Sequence, residues 1–234
     1  MWGGEGPGRR INTKALKDFG EPPKRCGNSR STTFRSDAPT PSPRSLDAFR
    51  EGLSARAGLP VPEAVLALVR SRATERTLPR GAVLDAPDTV QRDLHFLVTG
   101  TAEQAYRDSA GRARVTYLWT AGDLVARVRS LLAGQPDDNG ILVVRSATVL
   151  TLPAAAATAL RERDGEVAHF AARLSDYYFA QVAALTAAKT LATPAERYER
   201  LLAQRPELAQ AFSQARVASL LGMSLGTLLR MGGR

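Results

Sequence analysis

The sequence predicts an α+β protein in which a compact antiparallel β-barrel or sandwich lies between helical segments. Between residues 78 and 152, apolar and polar residues alternate with a period of two, in short runs that turn residues separate. Before and after this region, apolar residues recur every three or four positions, as on one face of a helix. Five or six short strands at this spacing are typical of a barrel or sandwich.

The helices and strands can be placed in order along the chain. Ser45 is a possible N-cap of a first helix, and a second helix is expected over about 62–72. The expected strands cover 78–84, 94–100, 103–107, 113–119, 141–144 and 148–152. The last two are expected to pair with each other, which would leave Arg145 and Ser146 in the turn between them.

Pro153 closes the last strand, and a short helix over 154–162 follows it. A longer helix is expected over about 166–189, with Val167, Phe170 and Leu174 beginning an apolar stripe at helical spacing. Such a stripe is either core packing or the seam of a two-helix dimer. Its position between two domains favours the seam.

The end of the chain predicts two short helices joined by a sharp turn. Thr193, Pro194 and Glu196 form a capping-box sequence that opens a new helical domain. Gly222 can end one helix in the left-handed conformation, and Ser224 can cap the next. Apolar positions that would pack the two helices together are Val217, Leu221, Met223, Leu228 and Met231, with the small Ala218 at the crossing. This pattern fits a helix-turn-helix that enters the DNA major groove, or an ordinary helical hairpin in a core.

The positive charge is concentrated at the two ends of the chain. Residues 1–44 carry nine Lys/Arg against four Asp/Glu, and residues 193–234 carry six against three. Residues 45–192 are nearly neutral, with 17 against 16. This distribution suits a polyanionic partner such as nucleic acid. Residues 1–44 contain too few apolar residues to offset the conformational entropy that folding would cost, so we expect a disordered basic extension.

Several classes of function are disfavoured by what the sequence lacks. The single cysteine, Cys26, excludes a disulfide framework and a four-cysteine metal or cluster site. No apolar run is long enough to span a membrane and the N-terminus has no signal-peptide core, so we expect a cytoplasmic protein. His95 and His169 stand alone, which argues against a metal site. No catalytic constellation or phosphate-binding loop is present, and we expect a protein that is not an enzyme.

Three strings of residues resemble the Crp/Fnr family of transcription regulators. They are Gly111 within 107–112, Gly122-Asp123 within 120–125, and the C-terminal segments 193–198, 206–208 and 218–224. The third is the most specific, and the whole resembles a branch with a compact DNA-binding domain that is typified in Bacteroidetes. The resemblance implies a cyclic-nucleotide-binding-like jelly roll over 45–162, a dimerisation helix over 163–192 and a helix-turn-helix domain over 193–234. It also implies a homodimer that reads a palindromic operator.

The resemblance also places the candidate site residues. The second helix of the helix-turn-helix would present Ser224 and Thr227 to phosphates or bases and Arg230 to a guanine edge, while Gln214 and Arg216 suit backbone phosphates. A ligand pocket would include Gly122, Asp123 and Leu124, and we expect neither catalytic residues nor a metal.

The pocket residues favour an effector other than a cyclic nucleotide, and no cofactor. Relatives that bind cyclic nucleotides use Gly-Glu for the ribose and a nearby Arg for the phosphate. Here Asp123 has a shorter reach than Glu, and Arg145 is expected in a turn. The phosphate position would fall near Asp137 and Asp138, whose charges repel a phosphate. The effector is therefore expected to be a different small molecule, or there is none.

The second helix of the helix-turn-helix departs from the family pattern. The family usually carries an acidic residue where Gly226 stands, a Ser where Leu229 stands, and basic residues where Gly232 and Gly233 stand. These changes remove groups that read bases, and a glycine weakens the helix. The alternative hypothesis is therefore a ligand- or partner-binding module with a decayed DNA-binding domain.

Overall fold

The computed structural model describes residues 39–232 and contains two four-stranded antiparallel sheets in that range. The strands are β1 (Thr74–Leu78), β2 (Val83–Asp85), β3 (Asp93–Leu97), β4 (Thr101–Arg107), β5 (Ala113–Thr120), β6 (Leu124–Val125), β7 (Gly140–Arg145) and β8 (Ala147–Pro153). One sheet has the order β1-β8-β3-β6 and the other β2-β7-β4-β5. Eight strands in two facing sheets form the expected jelly roll, which confirms the α+β class.

Helices precede and follow the jelly roll in sequence, and one short helix lies between β6 and β7. They are α1 (Pro43–Ala57), α2 (Glu63–Arg72), α3 (Val128–Ala133), α4 (Ala154–Arg163), α5 (Gly165–Leu191), α6 (Pro194–Gln204), α7 (Pro206–Ala211), α8 (Gln214–Leu220) and α9 (Leu225–Gly232). Residues 1–38 of the expected basic extension, with Cys26, lie outside the described residues. The expected disordered range nevertheless ends too late, because α1 already begins at Pro43.

The N-cap of the first helix is Ser42, and the expectation of Ser45 was wrong. The hydroxyl of Ser42 accepts a hydrogen bond from the Ser45 amide at 3.3 Å, and Pro43 occupies the first helical position. A proline suits that position because it has no amide hydrogen to leave unpaired. Ser45 is instead a buried residue of the first turn.

Two expected strand assignments were also wrong. Strands β7 and β8 do not pair with each other: β7 pairs with β2 and β4, whereas β8 pairs with β1 and β3. Ser146 alone separates them, so the chain crosses there from one sheet to the other. The expected strand over 78–84 is likewise divided between β1 and β2, because Pro79 and Gly81 form a turn in its middle.

The N-terminal helices pack on one sheet of the jelly roll through an aromatic and aliphatic core. The rings of Phe49 in α1 and Phe96 in β3 meet edge to face, with centroids 5.0 Å apart. Gly52, one turn along α1, allows this approach. A Cβ atom at Gly52 would lie 2.9 Å from the Cα and the carbonyl oxygen of Gly122. The helix therefore rests directly on the backbone of the turn that precedes β6.

We expect Gly52→Ala to lower the free energy of unfolding by about 1–3 kcal/mol, because backbone atoms cannot move aside for the new methyl group. Urea denaturation followed by circular dichroism would measure it. Gly165→Ala is the matched control, since a Cβ there would meet no atom within 4 Å beyond its chain neighbours and the backbone of its own helix. Equal stability of Gly52→Ala and the wild-type protein would contradict the tight contact.

Candidate nucleic-acid interface and ligand cavity

The C-terminal helical unit begins with the capping box that the sequence predicts. The Thr193 amide donates to the Glu196 carboxylate at 2.7 Å, and the Glu196 amide donates to the Thr193 hydroxyl at 3.4 Å. Pro194 takes the first helical position of α6. These contacts are all local in sequence, and they confirm the predicted capping box at Thr193.

Helices α8 and α9 form the predicted pair of helices joined by a sharp turn. Gly222 has a φ of +68°, in the left-handed region, and the Met223 amide donates to the Ala218 carbonyl at 3.0 Å. The Ser224 hydroxyl caps α9 by accepting the Thr227 amide at 3.0 Å. Val217, Ala218, Leu221 and Leu228 are buried between the helices, with Met223 and Met231 packed beside them. The predicted local geometry of the turn is confirmed.

One face of α9 is open and carries the three predicted base-contacting residues. Ser224 and Arg230 are exposed and Thr227 is half-buried. The Ser224 and Thr227 hydroxyls lie 2.8 Å apart, and an Arg230 guanidinium nitrogen lies 3.5 Å from the Thr227 hydroxyl. The structure therefore brings these three side chains together on a single polar surface. Leu225 and Leu229 flank it, and they are 41% and 50% exposed.

The two predicted phosphate contacts on α8 are placed differently from each other. Gln214 is exposed at the start of the helix. Arg216 instead forms an ion pair with Glu103 of strand β4, with Nε 2.6 Å and Nη2 3.4 Å from the two carboxylate oxygens. In this structure Arg216 thus contacts the jelly roll, and it does not share the open surface of α9.

The C-terminal unit rests on strand β5 through an apolar contact. Val115 and Leu118 of β5 are buried in one cluster with Leu208, Phe212 and Leu220 of the C-terminal helices. The Val115 amide donates to the Ser219 hydroxyl of α8 at 3.0 Å. Sequence reasoning missed this interface. Its signal was Leu118, an apolar residue on the strand face opposite Tyr117 and Trp119, which therefore also needs cover.

Asp123 is a buried junction between three parts of the chain. Its carboxylate is fully buried and accepts hydrogen bonds from Arg56 Nε at 2.7 Å and from the Thr120 amide at 2.8 Å. Arg205 Nη2, from the C-terminal unit, donates to the oxygen of Asp123 that also accepts the Thr120 amide, at 3.4 Å. Burial is the largest single influence and lowers the pKa of both arginines, but Asp123 and the other acidic groups around each guanidinium together outweigh it, so the pKa of each is raised. Asp123 thus joins α1, the jelly roll and the C-terminal unit.

A cavity of about 1140 Å³ lies between the jelly roll and the helices α1, α2, α4 and α5. Of the three predicted pocket residues, Leu124 lines it, whereas Gly122 and Asp123 are absent from the lining that the structure describes. The Leu124 amide donates to the Tyr178 hydroxyl of α5 at 2.7 Å, and burial raises the pKa of that phenol. Apolar side chains dominate the wall, among them Phe49, Phe96, Trp119, Leu150, Leu152 and Phe170.

The polar groups of the cavity do not form a buried site for a phosphate. Gln104, Thr116 and Tyr117 line it from the second sheet, and burial raises the pKa of Tyr117 to about 12. The arginines that line it are exposed to solvent: Arg92, Arg129 and Arg161. Asp137 also lines the cavity, while Arg145 is exposed at the end of β7 and is not part of the described wall.

The buried Arg127 holds the loops next to α3 together. Its guanidinium donates to the carbonyl oxygen of Asn139 at 2.9 Å and to the Thr89 hydroxyl at 3.1 Å. His95 is also buried, with ring nitrogens 3.0 Å from the Thr151 hydroxyl and 3.2 Å from the Asp85 carboxylate. Within residues 39–232 no three His, Cys, Asp or Glu side chains are grouped as metal ligands would be.

Helix-turn-helix and jelly roll together give the chain the fold of Crp/Fnr-type regulators, and this confirms the predicted resemblance at the level of the fold. FixK2 from Bradyrhizobium japonicum superposes with a TM-score of 0.59 at 20% identity, over 69% of this chain and 83% of that one. A candidate Crp/Fnr-family regulator from Eubacterium rectale gives a TM-score of 0.57 at 15% identity, over 73% and 82%. The c-di-GMP-responsive regulator CLP of Xanthomonas campestris gives 0.53 at 14%, over 72% and 87%.

Sequence comparison adds nothing to this structural likeness. No family model matches the sequence, and no curated protein matches it. The Bacteroidetes-type branch therefore stays a prediction. Across the described residues, the helices are too short or too polar for any of them to cross a membrane.

We expect Asp123→Asn to lower the free energy of unfolding by about 3 kcal/mol, because it leaves two largely buried guanidinium groups without their shared carboxylate. Thermal and urea unfolding would measure the loss. Asp47→Asn is the control, since it removes a carboxylate from an exposed pair with Arg50 and surface pairs contribute little. Similar effects of the two substitutions would contradict the junction assigned to Asp123.

Proposed function

We propose that this protein is a DNA-binding transcription regulator of the Crp/Fnr type that acts as a homodimer. The observation that carries the proposal is the open face of α9, where Ser224, Thr227 and Arg230 lie in contact with one another. Hydroxyl groups bind phosphates or base edges, and an arginine can bind guanine through two hydrogen bonds. The excess positive charge of residues 193–234 supports a duplex as the partner.

The long helix α5 supports the homodimer. It packs on α1 through Phe170 and Leu174, which are buried, and turns another face to solvent. On that face Phe179 is 75% exposed and Val182 47% exposed, about one turn apart, and both also border the cavity. A large aromatic ring is rarely left in water on a helix, so a second copy of α5 is the partner that we propose.

The cavity supports an effector that is not a cyclic nucleotide. A buried phosphate needs a guanidinium inside the site to offset its desolvation. The arginines of the described wall are exposed to solvent, and the wall also carries Asp137, whose charge would repel a phosphate. An apolar small molecule suits this wall better, and we propose a ligand of that class.

A second candidate function is favoured by the exposed leucines on α9. Leu225 and Leu229 lie beside the polar surface, where base-reading side chains would be expected. A ligand- or partner-binding module whose DNA-binding domain has decayed would tolerate them. In neither case do we assign the protein an enzymatic reaction.

We expect the protein to retain genomic duplexes at low salt and Arg230→Ala to weaken that binding about tenfold, since one good base contact is worth about 1–3 kcal/mol. Fluorescence anisotropy over a salt series would measure both. Arg200→Ala removes the same charge from an exposed position on α6 and is the control. Failure of the wild-type protein to bind any fragment at low salt would favour the decayed module.

We expect Phe179→Asp to convert the dimer into a monomer, because it places a charge in the apolar seam of α5. Light scattering after gel filtration would measure the mass. Ala180→Asp introduces the same charge about 100° around the helix and should leave the dimer intact. A wild-type protein that is already monomeric at micromolar concentration would refute the homodimer.

A further inference from the structure

We propose that the jelly roll and DNA compete for Arg216, so that the docked arrangement of the C-terminal unit is a low-affinity state for DNA. This inference rests on the proposed function, because it concerns the regulation of the same helix-turn-helix. We use the name "latch" for the Arg216–Glu103 pair, the Arg205–Asp123 pair and the Val115–Ser219 hydrogen bond.

The Arg216–Glu103 pair is the part of the latch that DNA can displace. Both contacts of the guanidinium go to the one carboxylate, at 2.6 and 3.4 Å. The side chain of Arg216 is 33% exposed and that of Glu103 is 12% exposed, so a competing anion can reach the arginine. A guanidinium in a two-point contact with a carboxylate cannot make the same contact with a phosphate.

The Arg205–Asp123 pair is the anchor of the latch. Its side chains are 9% and 0% exposed, which is too deep for a duplex to reach. Val115 and Leu118 of β5 pack against Phe212 in the apolar contact that holds the docked helices on the strand. Exchange of Glu103 for a phosphate therefore requires the C-terminal unit to move relative to this anchor.

The latch also borders the cavity. Tyr117 lines the cavity and also lies beside Arg205, whose positive charge counteracts part of the rise that burial causes in the pKa of the Tyr117 phenol. Leu124 lines it too and follows Asp123 directly in the chain. A molecule that fills the cavity therefore acts on residues next to the anchor, and this provides a physical route from ligand binding to release of the helices.

The first test removes the competing carboxylate. Glu103→Gln should bind a labelled genomic duplex about fivefold more tightly than the wild-type protein, since the exchanged ion pair is partly exposed and of modest strength. Glu63→Gln is the matched control, because it breaks an exposed Glu–Arg pair with Arg70 on α2 and raises the net charge equally. Equal affinities of the two variants would overturn the competition.

The second test closes the latch covalently. The Val115 amide nitrogen and the Ser219 hydroxyl oxygen are 3.0 Å apart, so the two Cα atoms are less than about 7 Å apart, within reach of a disulfide. Val115→Cys and Ser219→Cys would be combined in a Cys26→Ser background. Thiol titration reports whether the bond forms, and circular dichroism of the reduced form reports whether the variant folds.

Oxidation should lower the affinity of this variant for the labelled duplex several-fold, and reduction should restore it. Cross-linked protein that binds as tightly as reduced protein would overturn the latch but leave the proposed function intact. A disulfide that does not form in a folded variant would overturn the docked arrangement itself. Absence of DNA binding by every variant, with the disulfide formed, would overturn the proposed function and the competition with it.

Discussion

The buried carboxylate of Asp123 is the constraint on which the architecture depends. A fully buried charge is costly unless it is paired and hydrogen-bonded, and Asp123 has two arginine partners and a backbone amide. Arg56 comes from the N-terminal helices and Arg205 from the C-terminal unit. None of the three parts can shift far without leaving a buried charge uncompensated. In the docked arrangement, the relative placement of the three parts is therefore held by electrostatics at one turn of the jelly roll.

Strand β5 contacts both the cavity and the C-terminal helices. Trp119 packs in the core of the jelly roll, and Val115 and Leu118 pack against the C-terminal helices. Tyr117 lines the cavity and also lies beside Arg205. A change in the packing of Trp119 against the jelly-roll core is expected to shift Val115 and Leu118 as well, because a strand in a packed core transmits displacement along its length. The fold thus places a surface that lines the cavity and a surface that contacts the helix-turn-helix on one strand.

Much of the helix-turn-helix could be predicted from the sequence because its signals are local. The capping box at Thr193 and the left-handed Gly222 involve residues three to five positions apart. Strand pairing could not be predicted in the same way, because the partners of β7 and β8 depend on the path of the whole chain. The docking role of Arg216 was hidden for the same reason: Glu103 is 113 residues away in sequence.

The strand order carries a consequence for how the protein is made. Strand β1 pairs with β8, so Thr74 finds its partner only at Thr151. A nascent chain must therefore emerge from the ribosome through β8 before the first sheet can close, and contacts this distant in sequence slow the search for the native state. Until then the apolar faces of α1 and α2 have no sheet to cover them. The interval before the jelly roll closes is thus the stage of synthesis at which this protein is most exposed to aggregation or to capture by chaperones.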